Sequence, residues 1–500
     1  MILSQTFICP KCNTQHNVYD IRNTMVYVCE NCKSILGRSV NGFARIGKVK
    51  DPLYKPLFSL GTKGTIRGQE YTIVAYSERQ EYGTDYYWVE YVLMRGEDRK
   101  RIFLSEFGGH YTLLEELPAG EIDTVDVSKA YQNYVYQNKR FDKWSVYSAK
   151  YHYAIGEFNW DVRFDKPMKC LEFVAPPHMI AMEYAENARE ATAFYGTYIP
   201  YKEVNKAFLP GDKLPSPVGV APAQPFSKYI NPWLFLVGSA ILCAVFLILQ
   251  IVDNQQRVNN IVFSEGFNVE SFSQQKPFVS RPFTLENKTS NMEVEIYLGG
   301  DNTWVEAEVD LVNETTGEET SFVIGTEHYS GVDEGEAWSE GHYRQKEFIC
   351  NIEPGTYHFV VTPNKDQASF GTTMRLEVIW DVTSYWNAIF LSLVLLAIAI
   401  GVYIWNHSFE SKRWGNSGFG HIRDASTQMP VKADYGYLLK KITNERILLV
   451  IAVVFIASLM LSNCNGYRIC ACKSTEKWKP GQTRGNTPRS GVGRAYFHHK

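Results

Sequence analysis

The chain has 500 residues, with 51 Lys and Arg against 54 Asp and Glu, for a formal net charge of -3. That length exceeds what one hydrophobic core serves, and at roughly 150 residues per domain it calls for about three units. The near balance of charge argues against a nucleic-acid surface along the whole chain, and a slightly negative mean hydropathy beside long apolar runs points to membrane segments set among large soluble parts.

The opening MILSQTFICPKC has no basic stretch followed by an apolar core, so it does not read as a secretory signal, and the N-terminus is expected in the cytosol. Cys9-Pro10-Lys11-Cys12 and Cys29-Glu30-Asn31-Cys32 then form a CxxC…CxxC pair at structural-zinc spacing. Two such hairpins offer four thiolates to one ion and close its tetrahedron, leaving no position for substrate. A zinc ribbon over residues 1–40 is therefore expected, with Zn²⁺ held by Cys9, Cys12, Cys29 and Cys32. Phe7-Ile8 and Tyr27-Val28 read as the strands leading into the two knuckles. A redox role for the cysteines is the competing reading, disfavoured because no helical pattern follows either pair. Lys11, Arg22, Lys33 and Arg38 make only a thin basic patch, interrupted by Asp20 and Glu30. The ribbon is read as a folding staple or a protein-docking knob, with nucleic acid as the weaker reading.

Residues 55–210 read as a cytoplasmic β-rich (α+β) domain. The stretches around Tyr71–Tyr76 and Tyr87–Met94 are rich in β-branched and aromatic residues and are punctuated by Gly61, Gly64 and Gly68. A second series runs from Tyr151 through Gly156-Glu157-Phe158-Asn159-Trp160 to Cys170–Val174, so two lobes, or a duplication, are expected. The stretches Leu60-Gly-Thr-Lys-Gly, Tyr71-Thr-Ile-Val, Trp88-Val-Glu-Tyr, Gly156-Glu-Phe-Asn-Trp, Ala175-Pro-Pro-His and Gly196-Thr-Tyr-Ile-Pro resemble a bacterial family of unknown function, domain-of-unknown-function family 4178. The resemblance implies a role in envelope or polyamine-linked stress physiology and says nothing about catalysis. Glu90, Glu157, His110, His178 and Glu183 are the acid-base candidates of this region. No phosphate loop, HExxH helix or nucleophile elbow accompanies them, and Glu90 and Glu157 read as fold-maintaining groups in strand and bulge sequences. The proline-rich residues 211–232 read as an extended linker.

An apolar run at 233–252 has the length of a membrane-spanning helix, and a second, at 386–405, carries Trp386 and Trp405 at its limits. Between them, residues 258–382 read as an all-β sandwich, jelly-roll-like, in which Val305, Ala307, Val309 and Leu311 alternate with acidic residues. Asp333, Glu334 and Glu336 form an acidic turn, read either as a Ca²⁺ site or as solvated charges, and Trp338 as a ligand-stacking or a packed ring. The loop at 406–446 is basic, the run at 447–462 is a short third helix candidate, and the tail at 463–500 is basic and expected to be flexible. The distribution of Lys and Arg places residues 253–385 outside and 406–446 inside. The basic tail resists that topology, leaving two or three spans open. Cys350 is read as a buried thiol or as the partner of Cys464, Cys470 or Cys472.

These features favour an integral protein of the cell membrane acting as a non-catalytic scaffold or sensor, with protein partners and with homo-oligomerisation open. An enzyme working through residues 55–210 and a membrane-tethered nucleic-acid binder are the alternatives. A transporter is disfavoured because no apolar run carries a charge.

Overall fold

The computed structural model describes residues 5–40, 42–122, 133–163, 167–184, 191–227, 230–286, 288–367, 369–419 and 446–480. The chain forms two compact units, residues 1–234 with 401–444 and residues 235–400 with 445–500.

In the first unit, β1 (Gln5–Ile8) and β2 (Gln15–Val18) make a hairpin around the first CxxC. β3 (Val26–Val28), β4 (Ser34–Ser39) and β5 (Gly42–Lys48) follow as a meander, with the second CxxC in the β3–β4 turn. One up-and-down series comprises β6 (Lys63–Ile66), β7 (Gln69–Glu81), β8 (Tyr87–Arg95), β9 (Arg101–Phe107) and β10 (His110–Glu116). A second comprises β11 (Asn133–Tyr136), β12 (Lys139–Phe158), β13 (Met168–Ala175), β14 (His178–Tyr184) and β15 (Thr192–Ile199). Each series starts with a short strand joined to a long one by two residues of positive φ, Arg67-Gly68 and Gln137-Asn138, the backbone a tight type I′ hairpin demands.

The two series do not form separate lobes. β10 pairs with β15 and β7 pairs with β12, both antiparallel, so β7–β10 and β12–β15 close into one eight-stranded barrel. The physical reason is edge satisfaction: each meander ends in an unpaired strand, and the edges of one series satisfy those of the other. β12 outruns the barrel, and its last residues also pair with β3, Gly156 with Val28 and Phe158 with Val26, so β3–β5 continue the same sheet.

The outer face of the first series is covered by residues 49–66 and by α1 (Tyr201–Phe208), which seats Val204 and Phe208 against Phe58 and Tyr91. Leu117, Ile122 and Tyr134 cover the second series. The proline-rich linker is extended, as its composition requires, but it is packed on the barrel and is not a free spacer. The Val218 N–H donates to the Gly108 carbonyl at 2.9 Å, and Ala221 and Ala223 lie in a cluster with Trp144 and Trp414.

The second unit holds most of α2 (Pro232–Gln255) and an antiparallel β-sandwich. The sandwich strands are β16 (Asn260–Asn268), β17 (Phe278–Val279), β18 (Phe283–Leu285), β19 (Ser290–Gly299), β20 (Thr303–Asn313), β21 (Glu319–Asp333), β22 (Glu336–Gly341), β23 (Arg344–Ile352), β24 (Gly355–Lys365) and β25 (Thr373–Trp380). One sheet runs β16-β25-β19-β23, the other β17-β24-β20-β21-β22. Val305, Ala307, Val309 and Leu311 point into the core between the sheets, as the alternation requires.

α3 (Trp386–Trp414) and α4 (Arg446–Cys464) follow. With α2 they are three helices long and apolar enough to cross a membrane. α4 is tied to both other helices: its Asn463 donates to Gln250 of α2 at 3.0 Å and accepts from Asn387 of α3 at 2.9 Å, the kind of polar clasp that orients helices where apolar packing alone discriminates poorly.

Beyond α4 the chain returns to the sandwich, so residues 465–480 are not the flexible tail expected from their composition. Cys472 forms a disulfide with Cys350, and β26 (Glu476–Trp478) pairs with β21. The basic residues face sandwich groups: the Arg468 guanidinium lies 3.5 Å from the Phe348 ring centroid, and Lys473 pairs with Glu347 at 2.7 Å. These contacts match part of the tail's positive charge with groups of the sandwich. Residues 481–500 lie outside the described residues, as does most of the basic loop, 420–445.

The pairing predicts a labelling result. In a Cys464→Ser, Cys470→Ser background, Cys350→Ser should free Cys472 to react with a membrane-impermeant maleimide from the same side as an engineered cysteine at Gly331. Reaction from the opposite side would break the three-span arrangement.

Candidate metal centre and buried carboxylates

The two knuckles bring the sulfurs of Cys9, Cys12, Cys29 and Cys32 within 4.8 Å of one another. Cys9 lies 3.7 Å from Cys32 and Cys12 lies 3.6 Å from Cys29. A tetrahedron with metal–sulfur bonds of about 2.3 Å has edges of about 3.8 Å, so the four donors fit one tetrahedral ion. Asn13 and Lys33, one residue past each CxxC, adopt positive φ, and the Asn13 and Lys33 N–H groups donate back to the Cys9 and Cys29 carbonyls. These tight turns aim both thiols of a pair at one point. Burial pushes the Cys29 thiol up to about 12, so a bound cation is what would hold all four sulfurs as thiolates. His16 Nε2 sits 3.1 Å from the Cys29 sulfur, beside the donor set. Among the described residues, no other group of three or more His, Cys, Asp or Glu gathers closely enough to share an ion.

Glu157 is fully buried. It accepts from the Tyr19 N–H at 2.6 Å and lies 3.5 Å from Arg101 Nη2, tying the loop between the two knuckles to the barrel. Burial raises its carboxyl pKa, opposed by the Tyr19 N–H and Arg101. Gly156 beside it has φ +96°, and a Cβ there would stand 2.3 Å from the Val74 carbonyl oxygen. Glu78 is equally buried and accepts from the Leu53 and Tyr54 N–H groups at 2.8 and 2.9 Å.

Glu90 and Glu183 do come together, around Arg79. Arg79 Nη1 donates to Glu183 and lies 3.4 Å from Glu90, which also accepts from Trp88 Nε1 at 2.8 Å. The guanidinium carbon sits 5.5 Å from the Trp88 and 5.2 Å from the Tyr151 ring centroids. The two histidines stand apart from this cluster in their bonding. His110 is shared by Tyr198 and the Val218 carbonyl at 3.1 and 3.2 Å, and His178 contacts Thr197 at 3.3 Å. Arg79, Tyr147, Tyr151 and Glu172 were not singled out in the sequence. The available signal was Glu78-Arg79, two adjacent charges just after the apolar and aromatic run Tyr71–Tyr76 of one strand.

In the sandwich, Asp333 and Glu336 are cross-strand partners flanking the turn Glu334-Gly335 of positive φ. All three acids are exposed and do not converge. Trp338, 46 % exposed, lies over Gly331, whose Cβ would stand 2.9 Å from its ring.

Residues 59–201 match the model of a family described as Domain of unknown function (DUF4178), a span that covers the barrel from β6 to the start of α1. No curated protein matches the chain. Among solved structures, beta-fructofuranosidase from Schwanniomyces occidentalis complexed with fructosyl-erythritol aligns at 9 % identity over 75 % of this chain and 69 % of that one, with a TM-score of 0.13. Fructofuranosidase from the same organism complexed with fructose aligns at 7 % identity over 73 % and 92 %, with a TM-score of 0.11. Scores this low carry no argument about fold or activity.

Glu157→Ala should destabilise the first unit by about 3–5 kcal/mol, because it strands a buried guanidinium and buried N–H groups. Glu157→Gln keeps one acceptor oxygen and should cost less. Thermal unfolding of the purified full-length protein compares the two, and equal stability of Glu157→Ala and wild type would refute the structural role.

Proposed function

We propose that this protein is a non-catalytic membrane scaffold and sensor, in which α3 couples a binding module on the outer side to the zinc-stapled barrel on the cytoplasmic side. The observation that carries the reading is how the end of α3 is held. Arg413 is fully buried and donates to the carbonyls of Ala221, Pro222 and Gln224 while pairing with Glu410 at 2.8 Å. Trp414 packs on Trp144 of β12 at 5.4 Å between ring centroids, and the Ser417 hydroxyl donates to the Trp144 carbonyl at 2.6 Å. A basic residue at a helix end normally faces headgroups or water. Here it is spent on fastening the helix to the barrel and its linker.

The start of the same helix is fastened too: Asn387 donates to the Tyr467 carbonyl and Trp386 to that of Ile469, both at 2.7 Å. A displacement of the sandwich or tail therefore has a continuous helix through which to act. The orientation rests on two chemical arguments. A disulfide between Cys350 and Cys472 belongs to an oxidising compartment, and four free thiols poised for Zn²⁺ belong to a reducing one; the basic residues after 405 favour the cytoplasmic side. Locked carboxylates speak against turnover, since Glu157 and Glu90 are occupied by structural donors.

The zinc assignment predicts one Zn²⁺ per chain, lost in the Cys29→Ser, Cys32→Ser double variant, by metal analysis of the purified protein. The coupling reading predicts that reducing the Cys350–Cys472 bond in full-length protein changes amide hydrogen exchange in β12 near Trp144, and that Arg413→Ala with Trp414→Ala removes this response. Exchange in β12 that ignores reduction would overturn the sensor.

A further inference from the structure

One disulfide does not use up the cysteines of the tail. Cys472 is bonded to Cys350, while Cys470, separated from Cys472 by Ala471 alone, is a free and exposed thiol. Cys464, at the end of α4, is also free and exposed. A disulfide exchanges with a thiol according to how much thiolate is present, which sulfur is attacked and how open the bond is. Cys350 and Cys472 are both half-buried, so their bond is not sealed in the sandwich core.

The backbone holds Cys470 beside that bond. Residues 468–471 make a turn closed by the Ala471 N–H on the Arg468 carbonyl at 3.1 Å, and Cys470 stands third in it with φ +58°. Gly or Asn normally takes a turn position of positive φ, and other residues held there cluster at functional sites. Two residues of chain span at most about 7 Å, which keeps the Cys470 sulfur within side-chain reach of the Cys350–Cys472 bond. The leaving sulfur is provided for as well. The Arg468 N–H donates to Cys472 Sγ at 3.3 Å, a contact that strengthens when the sulfur becomes a thiolate, and a better-stabilised thiolate leaves faster. The Arg468 carbonyl oxygen lies 3.3 Å from the same sulfur and accepts from it once it carries a proton.

We propose that Cys470 is the attacking thiol of an intramolecular exchange that moves the Cys350 bond from Cys472 to Cys470. The Cys470 thiolate attacks Cys350 Sγ, the Cys350–Cys472 bond breaks, and Cys472 leaves as a thiolate that takes up the proton Cys470 gave up. One S–S bond forms and one breaks, so no oxidant or reductant is consumed. The product shifts the anchor two residues along the tail, next to the groups that hold the start of α3. The Ile469 N–H donates to Asn387 Oδ1 at 2.9 Å, the Ile469 carbonyl accepts from Trp386 at 2.7 Å, and Arg468 Nε donates to Ser384 at 3.2 Å. On the other side of the bond, the Lys473 N–H donates to the Phe348 carbonyl at 2.8 Å, a register that the shifted anchor displaces. For this consequence alone the inference rests on the coupling role of α3; the exchange itself is read on the sulfurs and stands or falls without that role.

The test is differential alkylation of full-length protein in nanodiscs. After incubation in mildly alkaline buffer without added thiol, exchange is stopped with acid and free cysteines are blocked with N-ethylmaleimide in mildly acidic denaturant. Bonded cysteines are then reduced and labelled with iodoacetamide. Fragment masses of the peptide Ile469–Lys473 distinguish Cys470 from Cys472 across Ala471. Cys472 should carry maleimide in wild-type chains at least about tenfold more often than in Cys470→Gly, with Cys470 protected to the same extent and Cys350 protected throughout. Glycine accepts the positive φ of that turn without strain, so this variant keeps the fold, and Cys464→Ser should leave the pattern unchanged. Cys472 protected in every wild-type chain, equal labelling of Cys472 in Cys470→Gly, a free Cys350, or a pattern that changes with Cys464→Ser would each overturn the proposal.

Discussion

The first unit depends on one short stretch of β12. At Gly156 the strand pairs with Ala75 of β7 on one side and Val28 of β3 on the other, so barrel closure and the attachment of the knuckles fall on the same residue. A side chain there would collide with the Val74 carbonyl, and only glycine lets the three strands meet. The next residue, Glu157, sends a carboxylate into the same crowded place, where it satisfies the Tyr19 N–H and faces Arg101. A buried carboxylate without partners would be untenable; with them it is a fastener, and its removal would strand the groups that now depend on it. The knuckles are thus the end of the barrel's own sheet, and metal binding there bears on the barrel's edge as well as on the short segment that supplies the thiols.

Charge in this chain does two kinds of work near the apolar helices. Arg413 and Arg257 are both close to helix ends, and both are buried in networks of carbonyls and carboxylates: Arg257 bridges Asp253, Asp381 and the Asn463 carbonyl. Neither is available as a simple topogenic charge. The basic residues of the tail are likewise partly consumed, by Phe348 and Glu347. Counting Lys and Arg assumes charges free to interact with lipid headgroups, and these partnered residues are only partly so.

The sequence was most legible where one residue type has one physical use. The CxxC pairs placed a four-sulfur cluster, the apolar runs placed the helices, and the alternation at 305–311 placed a sandwich strand with its inward face. It was less legible where long-range pairing decides the outcome. Two strand series of similar make-up are compatible with two lobes or one barrel, and the choice lies in edges some 80 residues apart that carry no local mark. The tail was misread for the same reason: lysine, glycine and proline favour disorder on average, but one disulfide and three residues of strand pairing fasten residues 465–480. Arg79 and Glu172 were missed because alternation predicts which face a residue occupies and not which groups of distant strands meet it there.

That last distinction also bears on why the barrel carboxylates resemble an active site. Catalytic pairs are recognised when their surroundings push their pKa values apart, leaving one acid and one base. Around Arg79 the carboxyls of the buried Glu90 and the half-buried Glu172 are pushed the same way, upward, by desolvation that Arg79 only partly offsets. Two groups displaced in one direction do not by themselves supply a complementary acid and base.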